Sequence, residues 1–320
     1  MRHNLFIFVV IVLCCSCGRG NIIRDVPVRL VSPERTGLLE SDPAFDFDFP
    51  ECSYCVDIGV TNDTVLLLQD YIMDSDSGTF YKAYSLKDYT YLGDALMKGR
   101  GANEALWPIY NGDSISPETG KAYCHIEDDM LDKVFLLDLE KSLAEGRTVL
   151  HPYTQLSGDV MYVYPYLDTL QYLSDIENNR VYSHIIDSKG NKLKSLLLYE
   201  DVPAMQNVPM LCCYNTINPE DGRIAMLMLS LPQVNILDFR TDEVKSVAVD
   251  RAYRHWRDIV YLEGPESLTN SIAYYRGAIS TSEYIIGLYK CELRGSQEEK
   301  DVHLHVFDWD GDFLYDLTIR

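Results

Sequence analysis

The sequence predicts an all-β fold assembled from repeated units, and three observations carry that prediction. First, a strand that ends in a polar turn recurs along the chain, at Tyr84–Asp88, Leu137–Lys141, Ile186–Gly190, Leu237–Asp242 and Leu304–Asp312. With Ser85, Asp138, Asp187, Asp238 and Asp308 as markers, the steps are 53, 49, 51 and 70 residues. A regular period near 50 is a repeat signal. Second, the segments between markers alternate apolar and polar residues at period two and are bounded by turn residues. Third, there are 23 tyrosines against 3 tryptophans, a usage that suits half-buried strands. About four short strands per ~50 residues is the content of a propeller blade. The predicted architecture is therefore a β-propeller with five visible blade units over residues 51–320.

Unit one covers about 52–103, with strands at Val56–Val60, Thr64–Leu68, Phe80–Leu86 and Tyr89–Leu96. Unit two, about 104–157, alternates at Ala122, Cys124 and Ile126 and continues with Val134–Leu139. Unit three, about 158–205, holds Met161–Val163 and Tyr182–Ile186. Unit four, about 206–258, holds Ile224–Leu231, Val234–Phe239 and Val244–Val249. Unit five holds Ile272–Tyr274, Tyr284–Tyr289 and His303–Phe307, and its extra length falls on the charged loop Leu293–Asp301. Helical candidates such as Leu139–Ala144 are too short to displace the strand reading. Blades bury their faces only against neighbours, so the ring must close. Either the five units close with residues 22–31, or the last blade of a six-bladed ring is incomplete or absent.

Residues 1–16 read as a lipoprotein signal peptide. Met1–Asn4 carries the positive charge, and Leu5–Leu13 is an apolar run of nine. That is too short to span a bilayer, which takes about 20 residues, and suits a signal-peptide core. Ser16 then precedes Cys17, and a small residue before a cysteine after an apolar run resembles a bacterial lipobox. The resemblance implies lipid attachment at Cys17, with Cys15 as the competing position. Acyl chains would hold the protein to the bilayer at roughly 0.8 kcal/mol per buried CH₂. Residues 17–50 read as a tether with one edge strand near 22–31, where Pro27 is tolerated. Gly18–Asn21 lacks the acidic cluster that the lipoprotein resemblance ties to surface export, so the resemblance implies the periplasmic side over the cell surface.

The net charge of −21 disfavours nucleic acid as a partner, because a phosphate backbone would be repelled. Beyond Cys17 the cysteines are Cys52, Cys55, Cys124, Cys212, Cys213 and Cys291. Their scatter is unlike a disulfide framework, and free thiols are expected, with a Cys52–Cys55 bridge as the alternative. Cys52-x-x-Cys55 leads into a strand, not a helix N-terminus, so nothing lowers a thiol pKa in the manner of a redox motif.

Tyr284–Ile285–Ile286–Gly287–Leu288–Tyr289, followed by a charged loop and His305–Val306–Phe307–Asp308–Trp309–Asp310–Gly311, resembles the penultimate-blade signature of TolB-like six-bladed β-propeller lipoproteins of the Bacteroidetes type. Gly99–Arg100–Gly101–Ala102–Asn103–Glu104 is similar to the inter-blade turn of that group. The resemblance implies a six-bladed ring in the cell envelope. It implies a fold more than a reaction, since the group has no common chemistry.

Gly99-x-Gly101 lacks the third glycine and the following helix of a dinucleotide fingerprint, so it reads as a turn. Asp308-x-Asp310-Gly311 lacks the glycine and glutamate positions of an EF-hand loop, so it reads as an Asp-Gly turn between strands. His303 and His305 share one strand face but would need a third ligand to hold zinc. They read as the solvent face of an outer strand. No metal ligand, catalytic residue or cofactor is assigned. Loops from the outer strand of one blade to the inner strand of the next line one rim of a propeller. Here they carry Arg100, Trp107, Tyr153 and the run Arg254, His255, Trp256 and Arg257. Aromatic and arginine side chains on an acidic background are suited to stacking on sugars or gripping an acidic group. The expected function is a lipid-anchored envelope module that binds or scaffolds an envelope protein or a glycan. The alternative is a metal-assisted hydrolase or lyase acting on a glycan or small metabolite in the propeller channel.

Overall fold

The computed structural model describes residues 26–40, 49–52, 55–62, 64–70, 78–115, 120–155, 162–166, 169–177, 180–187, 189–199, 213–250, 272–293 and 300–319. Among them the chain is almost entirely β. Two short strands come first, β1 (Val28–Leu30) and β2 (Arg35–Leu39). Sheet I then contains β3 (Cys55–Thr61), β4 (Val65–Asp70), β5 (Thr79–Ser85), β6 (Tyr91–Lys98) and β7 (Glu104–Ala105). Sheet II contains β8 (Pro108–Ile115), β9 (Ala122–Asp128), β10 (Lys133–Leu137) and β11 (Leu150–Gln155). Sheet III contains β12 (Tyr162–Tyr166), β13 (Thr169–Glu177), β14 (Arg180–Asp187) and β15 (Lys192–Tyr199). Sheet IV contains β16 (Cys213–Ile217), β17 (Ile224–Met228), β18 (Gln233–Asp238) and β19 (Glu243–Ala248). Sheet V contains β20 (Ile272–Ser280), β21 (Tyr284–Leu293), β22 (Val302–Asp308) and β23 (Phe313–Ile319). In every sheet these strands pair in chain order, the meander of a propeller blade. The all-β, β-propeller class expected from the repeat is therefore present, with five sheets among the described residues.

The markers prove to be one structural position. Ser85, Asp187, Asp238 and Asp308 each end the third strand of their sheet, and Asp138 follows the last residue of β10. Each side chain then accepts backbone N–H groups of the turn it opens. Ser85 Oγ accepts from Lys87 at 3.3 Å and Asp138 Oδ1 from Lys141 at 3.0 Å. Asp187 Oδ1 accepts from Lys189 and Asn191 at 2.9 and 2.8 Å. Asp238 Oδ1 accepts from Arg240 at 2.8 Å, and Asp308 Oδ1 from Asp310 and Asp312 at 2.9 and 2.8 Å. An Asp or Ser side chain that mimics a backbone turn explains why these residue types recur there. It also accounts for Asp308 as turn chemistry.

Two local readings change. Leu139–Ala144, expected to lose to strand, forms the helix α1 (Leu139–Glu145) between β10 and β11. Asp138 caps its N-terminus and Gly146 ends it at φ 62°, the left-handed cap that glycine adopts without a Cβ clash. Ser142 Oγ accepts from Val149 N at 2.9 Å and ties the helix to the incoming strand. The cap and this tie hold a segment too short to be helical alone. The second change lies near the N-terminus. The expected edge strand near 22–31 is present as β1, parallel to β19. A second, β2, lies where only tether is predicted and runs parallel to β23. All five of its residues are exposed, so no burial alternation announces it. Both strands extend existing sheets as fifth members.

The chain divides into two compact units. One comprises Asp42–Glu177 and Val181–Leu196. Its main core packs Leu67, Tyr81 and Leu96 of sheet I with Cys124, Ile126 and Leu137 of sheet II. The other comprises Met1–Ser41, Asn178–Arg180 and Leu197–Arg320. Its core packs Leu227, Val234 and Ile236 of sheet IV against Tyr275, Ile285 and Phe307 of sheet V and Trp309 of the turn after β22. The turn after β22 is clamped to sheet IV and β1. Arg29 reaches Asp312 Oδ1 at 2.7 Å and the Gly311 carbonyl at 2.9 Å. Lys245 pairs with Asp310, and Arg223 donates to the Trp309 carbonyl at 2.9 Å while lying over its ring.

Candidate functional site

The rim residues are placed unevenly. Arg100 is exposed in the turn between β6 and β7, and Trp107 is 47% exposed between β7 and β8. Both therefore lie on the expected inter-blade connection. Glu104 shapes the turn beside Arg100. Its carboxylate accepts from Gly101 N at 2.7 Å, and a Cβ on Gly99 would lie 2.0 Å from it. Buried Asp128 holds the Trp107 loop by accepting from Leu106 N and Trp107 N at 2.7 and 3.3 Å. Tyr153 is a correction. It sits inside strand β11, not in a loop, half-buried, with its ring edge-on to His125 at 5.2 Å. It packs on Val134, Val163 and Ile186, so it serves sheet packing. Arg254, His255, Trp256, Arg257 and Cys17 lie outside the described residues.

The structure assembles a different group on sheet V. Strand β22 puts His303, His305 and Phe307 on one face by simple alternation. Across the ladder His305 stands opposite Gly287 on β21 and Asp316 on β23. This face is turned to sheet IV, since a Cβ on Gly287 would lie 2.3 Å from Leu227. His305 is thus 3% exposed, contrary to the expected solvent face. Tyr289 stacks on its ring at 4.1 Å and Phe313 leans on it at 4.8 Å. Its Nδ1 is 3.2 Å from the Tyr275 hydroxyl. Its Nε2 lies 3.8 Å from Asp316 Oδ1, and His303 Nδ1 lies 2.7 Å from that same oxygen. Burial pushes the His305 imidazolium down to about 4 against the opposing pull of Asp316, so at neutral pH this ring is neutral. One donor atom from each of His303, His305 and Asp316 lies within 4.8 Å of the others.

The third member of this group comes from the register. Folding the hairpin about Asp310–Gly311 sets 305 against 316, so Asp316 was legible once the turn was assigned. The burial of His305 was not, because it depends on Gly287 admitting sheet IV. Close by, burial together with Cys291 and Asp250 pushes the Tyr274 phenol up to about 12. Burial also pushes Tyr289 upward. Among the described residues, Cys52, Cys124 and Cys291 carry free thiols. Burial is the largest cause that pushes the Cys52 thiol up to about 11, the opposite of an activated redox cysteine.

The repeated meander and these placements define a protein of the β-propeller class. No family model matches the chain, and no curated protein does. Among solved structures it is similar to a member of the DUF4221 family from Bacteroides vulgatus ATCC 8482. That likeness has a TM-score of 0.50 at 8% identity over 91% of this chain and 84% of the other. It is also similar to a protein of Bacteroides fragilis NCTC 9343 described as exported, with a TM-score of 0.48 at 14% identity over 92% and 74% of the two chains. At 8% identity the likeness to the DUF4221 member is one of fold.

Proposed function

We propose that the protein is a lipid-anchored β-propeller of the cell envelope that binds or scaffolds an envelope protein or glycan, within the TolB-like six-bladed group. The observation that carries the reading is the order of the chain. A nine-residue apolar run and Ser16–Cys17 precede a series of antiparallel blade units. Acylated Cys17 would hold the domain at the membrane, on the periplasmic side. Exposed Arg100 and Trp107 support a binding rim, to which Arg254, His255, Trp256 and Arg257 would contribute. Trp and Arg are the side chains most often found where binding energy concentrates.

The test is membrane fractionation of the full chain expressed in a Gram-negative host. Wild type should pellet with membranes and Cys17→Ser should appear in the soluble envelope fraction. Retention of Cys17→Ser in the membrane refutes the anchor. A second reading, metal-assisted hydrolysis or elimination on a glycan or small metabolite, is favoured by one observation, the convergence of His303, His305 and Asp316. Turnover that depends on added metal would distinguish it from the binding module.

A further inference from the structure

We propose that His303, His305 and Asp316 form a binding site for one divalent transition-metal ion, with zinc the ion whose chemistry the donor set fits. The inference stands on this group alone and holds whether the propeller binds a partner or performs a reaction. Two imidazoles and one carboxylate are borderline donors. They suit zinc and its neighbours, whereas calcium and magnesium take oxygen ligands.

Zinc bonds to nitrogen and oxygen run about 2.0–2.2 Å, which places tetrahedral donors about 3.3 Å apart. Here the two distances to Asp316 Oδ1 are 2.7 and 3.8 Å, and no donor pair exceeds 4.8 Å. The adjustment needed falls on the two members free to make it. His303 and Asp316 side chains are 28% and 26% exposed. His305 is the fixed member, clamped between Tyr289 and Phe313. Its Nδ1 is engaged by the Tyr275 hydroxyl, which directs Nε2 toward the other two donors. A ligating histidine held through its second nitrogen is the usual outer-shell arrangement of metal sites.

The 3.8 Å between Nε2 and Asp316 is beyond hydrogen-bond range, so a plain His–Asp pair explains His303 but not the aim of His305. Three protein donors leave a fourth position for water or a ligand. The exposure of His303 and Asp316 opens that position to solvent. The −21 background raises the local concentration of cations.

The experiment uses the full chain in detergent, stripped with chelator and titrated with Co²⁺ alone and then with Zn²⁺ as competitor. Visible d–d absorption should report one Co²⁺ per chain in a site without thiolate charge-transfer bands, displaced by Zn²⁺. His303→Gln and Asp316→Asn each replace a part-exposed residue and should weaken binding at least 100-fold while leaving far-UV circular dichroism unchanged. Tyr275→Phe, a positioning variant, should weaken binding about 10–100-fold. Cys52→Ser/Cys55→Ser should bind as wild type. Absence of saturable Co²⁺ binding overturns the proposal. So does binding that survives in a His303→Gln/Asp316→Asn double variant within tenfold of wild type.

Discussion

Replacing Glu127 by Gln should remove a pH-dependent weakness from the unit that comprises Asp42–Glu177 and Val181–Leu196. Glu127 lies on β9, 2% exposed, and accepts from Asn111 Nδ2 at 2.8 Å. Burial raises its carboxyl from an ordinary 4.5 to about 7, against the opposing hydrogen bonds from Asn111 and the Val163 backbone. A folded-state pKa above the unfolded value means the folded protein binds the proton more tightly. The contribution to stability is then complete below about pH 4.5 and is lost as pH rises through 7. A rise of that size is worth roughly 3 kcal/mol. Two residues earlier on the same face, His125 is pushed by burial the other way, from 6.5 to about 4. Its contribution is complete above pH 6.5 and is lost as pH falls through 4. The two slopes oppose each other in the acid range, so wild type alone would hide both. The comparison with Glu127→Gln isolates the carboxyl, because His125 is common to both chains. Urea denaturation at pH 5 and pH 8.5 measures it. The variant should gain roughly 2–3 kcal/mol relative to wild type on going from the lower pH to the higher. A gain below about 1 kcal/mol, or a change of opposite sign, would refute the assignment of a buried, proton-holding carboxyl.

Two further substitutions probe the packing. Gly287→Ala places a methyl 2.3 Å from Leu227 and 2.9 Å from the Tyr275 ring, so it should destabilise by about 1–3 kcal/mol through overpacking; thermal denaturation with no loss would show that sheets IV and V do not approach as described. Asp138→Ala removes the N-cap of α1 and the 2.7 Å pair with Lys121 and should cost about 1–2 kcal/mol; an unchanged urea midpoint would count against the cap.

The repeat was legible because each blade reuses one local device. An Asp or Ser closes the third strand by accepting its own turn's N–H groups, as Asp187 and Asp308 do, and such chemistry needs no tertiary partner. The helix after Asp138 was less legible. Its seven residues carry little helical signal, and the tie from Val149 to Ser142 crosses a turn. Strand β2 left no trace, because parallel addition at an edge uses backbone groups and exposes every side chain.

By itself the sequence determined the all-β class, the repeat of blade units and the acidic balance of the chain. These follow from short-range periodicity, turn chemistry and charge, all written in consecutive residues. Tertiary structure decided which faces are buried. It put Tyr153 into sheet packing, turned His305 from an expected solvent face toward sheet IV, and set it opposite Asp316. Alternation says which residues share a strand face, but only the neighbouring sheet decides whether that face meets water or another core.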